Sequence, residues 1–246
     1  MSDSWHVDVL LEGSSVMSSC TLVSSRACRV LVDTSLSIEE PALLAALRAR
    51  HLEPADIDVV VNTHLHIDHC GNNALFPRAA IYASKAEFDW ALAFYDAIFA
   101  SPVPERVAGA FYPELAASDV KTRTIRSVAR IARLFWNRSR LGDESRFRWL
   151  ESSNLPAGLE VLETPGHTPH HLSIRVGGIS PVIIAGDAVL AAAADAKVRT
   201  MIPYSLAQAV ETRRALVESG AMIVPGHGPA FEPGAADPVR PRPRAH

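Results

Sequence analysis

Three histidines and one aspartate crowd into six consecutive positions, His64-Leu65-His66-Ile67-Asp68-His69, and that crowding limits what the chain can build around them. Such side chains do not pack a core, because a buried polar or charged group without a partner is costly. They do suit a transition metal, which needs imidazole and carboxylate donors converging on one point at roughly 2.0–2.2 Å. Immediately upstream, residues 57–61 (Ile-Asp-Val-Val-Val) form a β-branched apolar run that reads as a buried strand. The histidines therefore stand where a strand ends and a loop begins, the position at which α/β proteins tend to carry their chemistry.

The rest of the chain supplies more such strand ends. Residues 6–11, 19–24 and 28–32 are short β-prone runs separated by Gly, Ser and Arg, the pattern of an antiparallel meander, and the third ends at Asp33-Thr34-Ser35. Over 38–51 the period changes: Glu39, Glu40 and Pro41 open a run in which Leu43, Leu44 and Leu47 recur at helical spacing. Residues 80–83 read as another strand, with Ser84 as the N-cap of a following helix. Strand-like runs return at 159–163, 172–176, 182–185 and 221–224, with a helix expected over 205–219. Polar clusters follow three of these strands: Thr164-Pro165-Gly166-His167, Gly186-Asp187 and Pro225-Gly226-His227-Gly228.

The segment 85–153 differs in character. Aromatics at Phe88, Trp90, Phe94, Tyr95, Phe99, Phe111 and Tyr112 are mixed into helix-forming Ala and Leu, which predicts a largely helical insertion serving as a lid. Its second half is arginine-rich: Arg123, Arg126, Arg130 and Arg133 fall on one helical face, and Ile125, Val128, Ala129, Ala132 and Phe135 on the other. The face is read either as solvated surface or as an anion-attracting wall beside the active site. The domain is expected to span 1–232, with a Pro-, Ala- and Arg-rich disordered tail over 233–246.

Composition narrows the classes further. Lys plus Arg (24) nearly balance Asp plus Glu (27), so the molecule as a whole is not a polyanion binder, which leaves nucleic acid only a local route through the arginine-rich insertion. The opening residues lack a basic start and an apolar core, and no run approaches a membrane span, so a soluble cytoplasmic enzyme is expected. Cys20, Cys28 and Cys70 are odd in number and show no C-x-x-C spacing, which points to free thiols.

Taken in order, His64-x-His66-x-Asp68-His69, Gly166-His167, Gly186-Asp187 and Gly226-His227-Gly228 closely resemble the motifs of the metallo-β-lactamase superfamily, over roughly residues 6–231 apart from the insertion. The resemblance implies an α/β fold, a four-layer α-β-β-α sandwich with two mixed sheets face to face, and a dinuclear metal site at one edge. Carried over by motif, His64, His66 and His167 would hold one metal and Asp68, His69 and His227 the other, with Asp187 bridging. The implied ions are two Zn2+ per chain, with iron or manganese as alternatives. Two zinc ions about 3.5–4 Å apart bring the pKa of a shared water toward neutrality, so a metal-bridging hydroxide is the implied nucleophile. Asp68 and Asp187 are the candidate catalytic carboxylates, either of which can pass the proton to the leaving group.

The same resemblance sorts the remaining residues. Asp33 lies where the family has Asp-Thr-Gly, with Ser35 in place of the glycine, and is expected to organise loops rather than touch metal. The pattern G-H-[ST]-P-G-H reads Gly166-His167-Thr168-Pro169-His170-His171 here. His171 is expected to support the ligands from behind, and His170 is either an exposed loop residue or a substrate contact. Gly166, Gly186, Gly226 and Gly228 are expected where the backbone turns sharply near the metals.

Three reactions are compatible with this set. The first is zinc-dependent hydrolysis of a carboxylic ester, lactone or thioester, as in the acyl-homoserine-lactonase-like and glyoxalase II-like branches, with the aromatic insertion walling an apolar or aromatic part of a small-molecule substrate. A true β-lactamase falls within this class. The lactonases carry a tyrosine three residues past the bridging aspartate; here Asp187 is followed by Ala188, Val189 and Leu190, leaving Tyr204 as a substitute from the next loop. The second is a phosphodiesterase or RNA-processing nuclease, supported by the arginines and by Gly71-Asn72-Asn73-Ala74-Leu75-Phe76-Pro77, which is reminiscent of small members proposed to act on RNA. The third is a mononuclear-iron persulfide dioxygenase-like enzyme or a metal-binding scaffold. Aromatics exposed on the insertion would equally serve a homodimer interface.

Overall fold

The computed structural model describes residues 4–14, 16–115, 119–151, 154–192 and 203–234, without the side chains of 115 and 119–125. The chain opens with an antiparallel meander, β1 (His6–Leu11), β2 (Cys20–Ser24) and β3 (Arg29–Val32), as the short β-prone runs predict. Helix α1 (Glu40–Arg48) follows, started by a proline in its first turn, and buries Leu43 and Leu47. Strand β4 (Val59–Val61) then runs parallel to β3, a one-turn helix α2 (Ile67–Cys70) carries the histidine cluster, and β5 (Ala80–Ala83) runs parallel to β4.

Within 85–153 lie α3 (Lys85–Ala100), α4 (Pro104–Phe111) and α5 (Asp119–Phe135). Ser84 caps α3, its hydroxyl oxygen accepting from the Glu87 N–H at 3.2 Å. The segment does not stay helical to its end. Residues Phe147–Trp149 form β6, which pairs parallel to β5 and completes the first sheet in the order β1-β2-β3-β4-β5-β6. The second sheet has β7 (Leu159–Glu163), β8 (Leu172–Val176), β9 (Val182–Gly186) and, after helix α6 (Leu206–Glu218), β10 (Met222–Pro225), in the order β10-β9-β8-β7.

Alternation along the strands builds the layers. In β3 and β4, Val30, Val32, Val59 and Val61 point between the sheets and meet Ile174, Val176, Ile184 and Val224 of the second sheet. Their neighbours Leu31 and Val60 point the other way, toward the layer formed by α1, α3, α4 and α5. On the far side, Ile183, Ala185 and Ile223 face α6 through Leu216. The result is a four-layer α-β-β-α sandwich. Among the described residues no helix is long and apolar enough to cross a membrane. The tail from 235 on, expected to be disordered, lies outside the described residues, as do the Arg123 and Ile125 side chains.

Because Ile174 is buried between the sheets among apolar, mostly β-branched side chains, the cost of truncating it is a packing cost. Ile174→Ala, at a side chain with no exposure, should lower the unfolding free energy by about 2–5 kcal/mol. Ile179→Ala, at a fully exposed position, should change it by less than about 0.5 kcal/mol. Paired denaturant titrations with equal slopes would check the contrast.

Candidate metal centre

Strand direction brings the motifs to one edge. β3 and β4 are parallel in the first sheet, and in the second β10 runs with β9 while β7 and β9 both oppose β8. The carboxyl ends of β7, β9 and β10 therefore share one edge, and this edge is stitched to that of the first sheet. The Leu172 N–H donates to Thr63 O at 2.8 Å, Ser19 N–H to Gly226 O at 2.6 Å and Gly228 N–H to Glu12 O at 2.8 Å.

The first cluster is shaped by a change of backbone. His66 is extended (φ −68, ψ 148) and caps α2, so His64 and His66, two residues apart, project to the same side. The single helical turn that follows carries Asp68 and His69 round to a second position. His64, His66, His167 and Asp187 form one group of donor atoms and Asp68, His69 and His227 another, with the atoms of each group within 4.8 Å of one another. His66 Nδ1 lies 3.0 Å from His167 Nε2, and His167 Nε2 lies 3.1 Å from Asp187 Oδ2. Asp187 Oδ1 lies 3.2 Å from His69 Nε2 and 3.3 Å from His227 Nε2, and His227 Nε2 is 3.5 Å from Asp68 Oδ2. One oxygen of Asp187 thus serves each group.

These donors fit a pair of divalent cations. His64 Nε2, His69 Nε2 and Asp187 Oδ1 are buried without a hydrogen-bond partner, which is costly unless something else occupies their lone pairs. Burial holds His64 and His167 well below the ordinary histidine pKa and His66 down to about 4, so these rings keep the neutral form that a metal needs. The carboxylates act the other way on His69, where Asp187, Asp33 and Asp68 outweigh burial and raise the imidazole.

A second set of residues orients the first. Asp33, buried and at φ 57, accepts from the Thr63 N–H (2.8 Å), the Thr63 hydroxyl (2.7 Å) and His69 Nδ1 (2.8 Å). His171 sits behind Asp187: its Nε2 accepts the Asp187 N–H at 3.2 Å, and its Nδ1 lies 2.8 Å from the Thr164 hydroxyl. His227 Nδ1 donates to Ser14 O and Met17 O at 2.5 and 3.0 Å. Ser35, where the family pattern has glycine, takes φ 58, a left-handed conformation that explains the glycine preference there. Gly226 is required for space, since a Cβ there would lie 2.1 Å from Asp187 Oδ1.

The structure bears on four readings that the sequence leaves open. His170 is exposed and lines a separate groove with Ser84, Glu151 and Pro169, so it is not placed to contact substrate over the metal ligands. Tyr204 packs its ring 6.4 Å from that of Trp90 and touches the site only through its backbone N–H, which donates to His167 O at 3.0 Å. Asn72 and Asn73 of the stretch reminiscent of RNA-acting proteins are fully buried, tying Thr34, Leu36 and Asn62 together rather than presenting amides to a ligand. The described arginines of α5 do not line the cavity over the ligands. Arg126 and Arg130 are exposed, and Arg133 donates to Ile98 O and Ser101 O at the end of α3.

Among the described residues, what α5 does present to the site is mostly apolar, Val128, Ile131 and Ala132 with Ser127. A cavity of about 190 Å3 opens over His66, Asp68, His167, Asp187 and His227, walled mainly by Val16, Leu36, Phe94, Val128, Ile131 and Ala132, with Tyr95 and Ser127 beside them and no Lys or Arg among the described residues of its lining. Besides Tyr95, whose hydroxyl donates to Leu65 O, two further residues reach the ligand loops from the insertion. Tyr112 Oη lies 2.6 Å from His66 Nε2. Glu87, almost fully buried, accepts from the Thr168 hydroxyl (2.8 Å) and the Leu65 N–H (3.4 Å); burial pushes its carboxyl up to about 7 against those hydrogen bonds. Nothing in the sequence separates either from the other aromatics and acids of this segment.

Comparison with known proteins agrees with this geometry. The sequence profile of the metallo-β-lactamase superfamily matches residues 14–227. Metallo-beta-lactamase domain-containing protein 1 of Homo sapiens is 30% identical over 205 residues, covering 82% of this chain and 59% of that one. The N-acyl homoserine lactonase AttM of Azorhizobium caulinodans is 26% identical over 200 residues, 78% of this chain and 65% of that one. Both alignments stop short of two thirds of the relative's length. Among solved structures, the dizinc quorum-quenching lactonase AidC, in complex with a product homoserine, shares the fold with a TM-score of 0.57 at 16% identity, over 90% of this chain and 83% of that one. With its His/Asp metal-binding group at the shared sheet edge, the chain belongs to the metallo-β-lactamase superfamily of hydrolases.

Proposed function

We propose that the protein is a dizinc hydrolase that cleaves an uncharged carboxylic ester, lactone or thioester bearing a short apolar or aromatic arm. The observation that carries the reading is the pairing of two donor groups sharing Asp187 with a largely apolar cavity directly above them, whose described lining holds no Lys or Arg. His64, His66 and His167 would hold one ion, Asp68, His69 and His227 the other, and Asp187 both. Two zinc ions so bound supply Lewis acidity, activating water near neutral pH and polarising the substrate carbonyl.

The chain's own residues do the rest. Asp187 fixes the two positions relative to each other, and His171 and Asp33 hold Asp187 and His69 in place from behind. Of the two candidate carboxylates, Asp68 is the more open, its side chain 18% exposed against 5% for Asp187. That makes the Asp68 carboxylate the group to carry a proton to the leaving oxygen or sulfur. Helices α3 and α5 roof the cavity as a lid and exclude water from the arm of the substrate. The cavity volume, about 190 Å3, is of the order that holds a benzene-sized group, since an apolar cavity of roughly 150 Å3 does so.

Elemental analysis of protein purified without added metal should find about two zinc per chain by this donor count. Asp187→Ala and His64→Ala should each lower the zinc content and abolish ester or lactone turnover. Full activity in either variant, or about one iron per chain with oxygen-dependent turnover, overturns the reading.

The cavity gives an independent check. Ile131→Ala should leave zinc content unchanged and lower kcat/KM for esters with a butyl or phenyl arm by about 10-fold or more, the scale of a few lost methylene contacts. The double change of Arg126 and Arg130 to Glu should leave turnover as it is; salt-sensitive RNA binding that disappears in that variant would instead favour the nuclease.

A further inference from the structure

The ligand histidines differ in where their outward nitrogens point, and that of His167, Nδ1, is buried without a hydrogen-bond partner. His69 turns its Nδ1 to Asp33, His227 to the backbone carbonyls of Ser14 and Met17, and His64 lies 3.2 Å from the Thr63 hydroxyl. All of these partners belong to the sandwich. His66 is turned the other way round. Its Nδ1 faces His167 Nε2 at 3.0 Å, and its Nε2 leaves the centre to meet Tyr112 Oη at 2.6 Å, just past the end of α4.

That orientation has a chemical consequence. A neutral imidazole carries one proton, and a ring that offers its Nδ1 lone pair to a metal must keep the proton on Nε2. The Nε2–H of His66 points into the interior, where an unaccepted donor is costly. The opposite tautomer would put the proton on Nδ1 and block the lone pair. In the Nε2-protonated form Tyr112 Oη, 2.6 Å away, is the acceptor for that N–H, and the tyrosine's own position is fixed. It is fully buried, Trp90 and Phe94 meet its ring edge-on at centroid distances of 5.3 and 5.7 Å, and its N–H donates to Ala108 O at 2.9 Å.

We propose that Tyr112 is a positioning residue that holds His66 in the Nε2-protonated tautomer, and that it thereby makes metal retention by His64, His66 and His167 depend on the docking of α4. The inference rests on His66 being a metal ligand. It extends that reading by giving the insertion a second role besides roofing the cavity: an α4 that undocks releases His66 to the wrong tautomer and weakens one metal position while leaving the other.

The test compares wild type, Tyr112→Phe and Tyr95→Phe, each loaded with zinc alone or with cobalt alone. Phenylalanine at 112 keeps the ring packing and removes only the hydroxyl. Tyr95→Phe is the matched control, because its hydroxyl also ties the insertion to the ligand loop, donating to Leu65 O at 3.3 Å, but touches no ligand. Tyr112→Phe should release one of its two zinc ions to a chelator about 10–100-fold more readily, the usual effect of losing the partner of a ligating histidine. The other ion should be held as in wild type, the cobalt d–d absorption should change, and Tyr95→Phe should match wild type in both. Tyr112→Phe with wild-type release and spectrum overturns the inference, as does loss of both ions together with a lowered melting temperature, which would make the hydroxyl merely structural. A wild-type protein that binds neither zinc nor cobalt removes the metal reading of the site itself, and the inference with it.

Discussion

Imidazole nitrogens and carboxylate oxygens that face one another away from water do not hold themselves together. His64 Nε2 and His69 Nε2 point into a shared space with no hydrogen-bond partner, and a buried lone pair or N–H in that condition opposes folding. A bound cation relieves this only after the donors have been brought together. In its absence they must be held from behind, and much of the architecture around the sheet edge does that holding. Asp33 is the clearest case: one carboxylate takes hydrogen bonds from the backbone and hydroxyl of Thr63 and from His69, fixing both ends of the first cluster from a single strand end.

The sandwich is the arrangement that makes such support available. Five strand ends open on one edge, so each ligand arrives on a short loop whose root is anchored in a sheet. The loops are then tied to one another by groups that never touch the centre: Asn72 and Asn73 between 34 and 62, His171 between Thr164 and the backbone of Asp187, Glu87 between Leu65 and Thr168. The cavity above the ligands is built on a different principle. Its wall includes Val128, Ile131, Ala132 and Phe94 from α5 and α3, side chains that exclude water and offer shape without charge.

What the sequence revealed followed from locality. Period-two runs marked the strands, and because a metal ligand must sit at a fixed offset from a strand end, the spacing of His64, His66, Asp68 and His69 and the three later motifs marked the centre. The residues that escaped are those whose role depends on contacts between distant segments. Tyr112 and Glu87 lie among similar residues in a helical segment, and only the docking of α3 and α4 turns them toward the ligand loops. The arginines of α5 left two readings open for the same reason: the helical period showed that they share a face, but which face meets the site is set by packing, and the buried Ala129 and Ala132 turn Arg126 and Arg130 to solvent. β6, three residues long, is too short for its alternation to show.

That short strand also bears on how proteins of this design can diverge. The 85–153 segment leaves the first sheet at the end of β5 and returns to it in β6, the strand beside β5, so both of its attachments are to the same two-strand frame. Closing a connection costs little more as it lengthens, about 0.6 kcal/mol for each doubling. A lineage can therefore lengthen, shorten or re-sequence this segment, and with it the choice of substrate, while the strand ends that carry the metal ligands inherit no change. The freedom stops at the few positions where the segment reaches back to those ligands, which makes them the points at which a new specificity and an old centre must stay compatible.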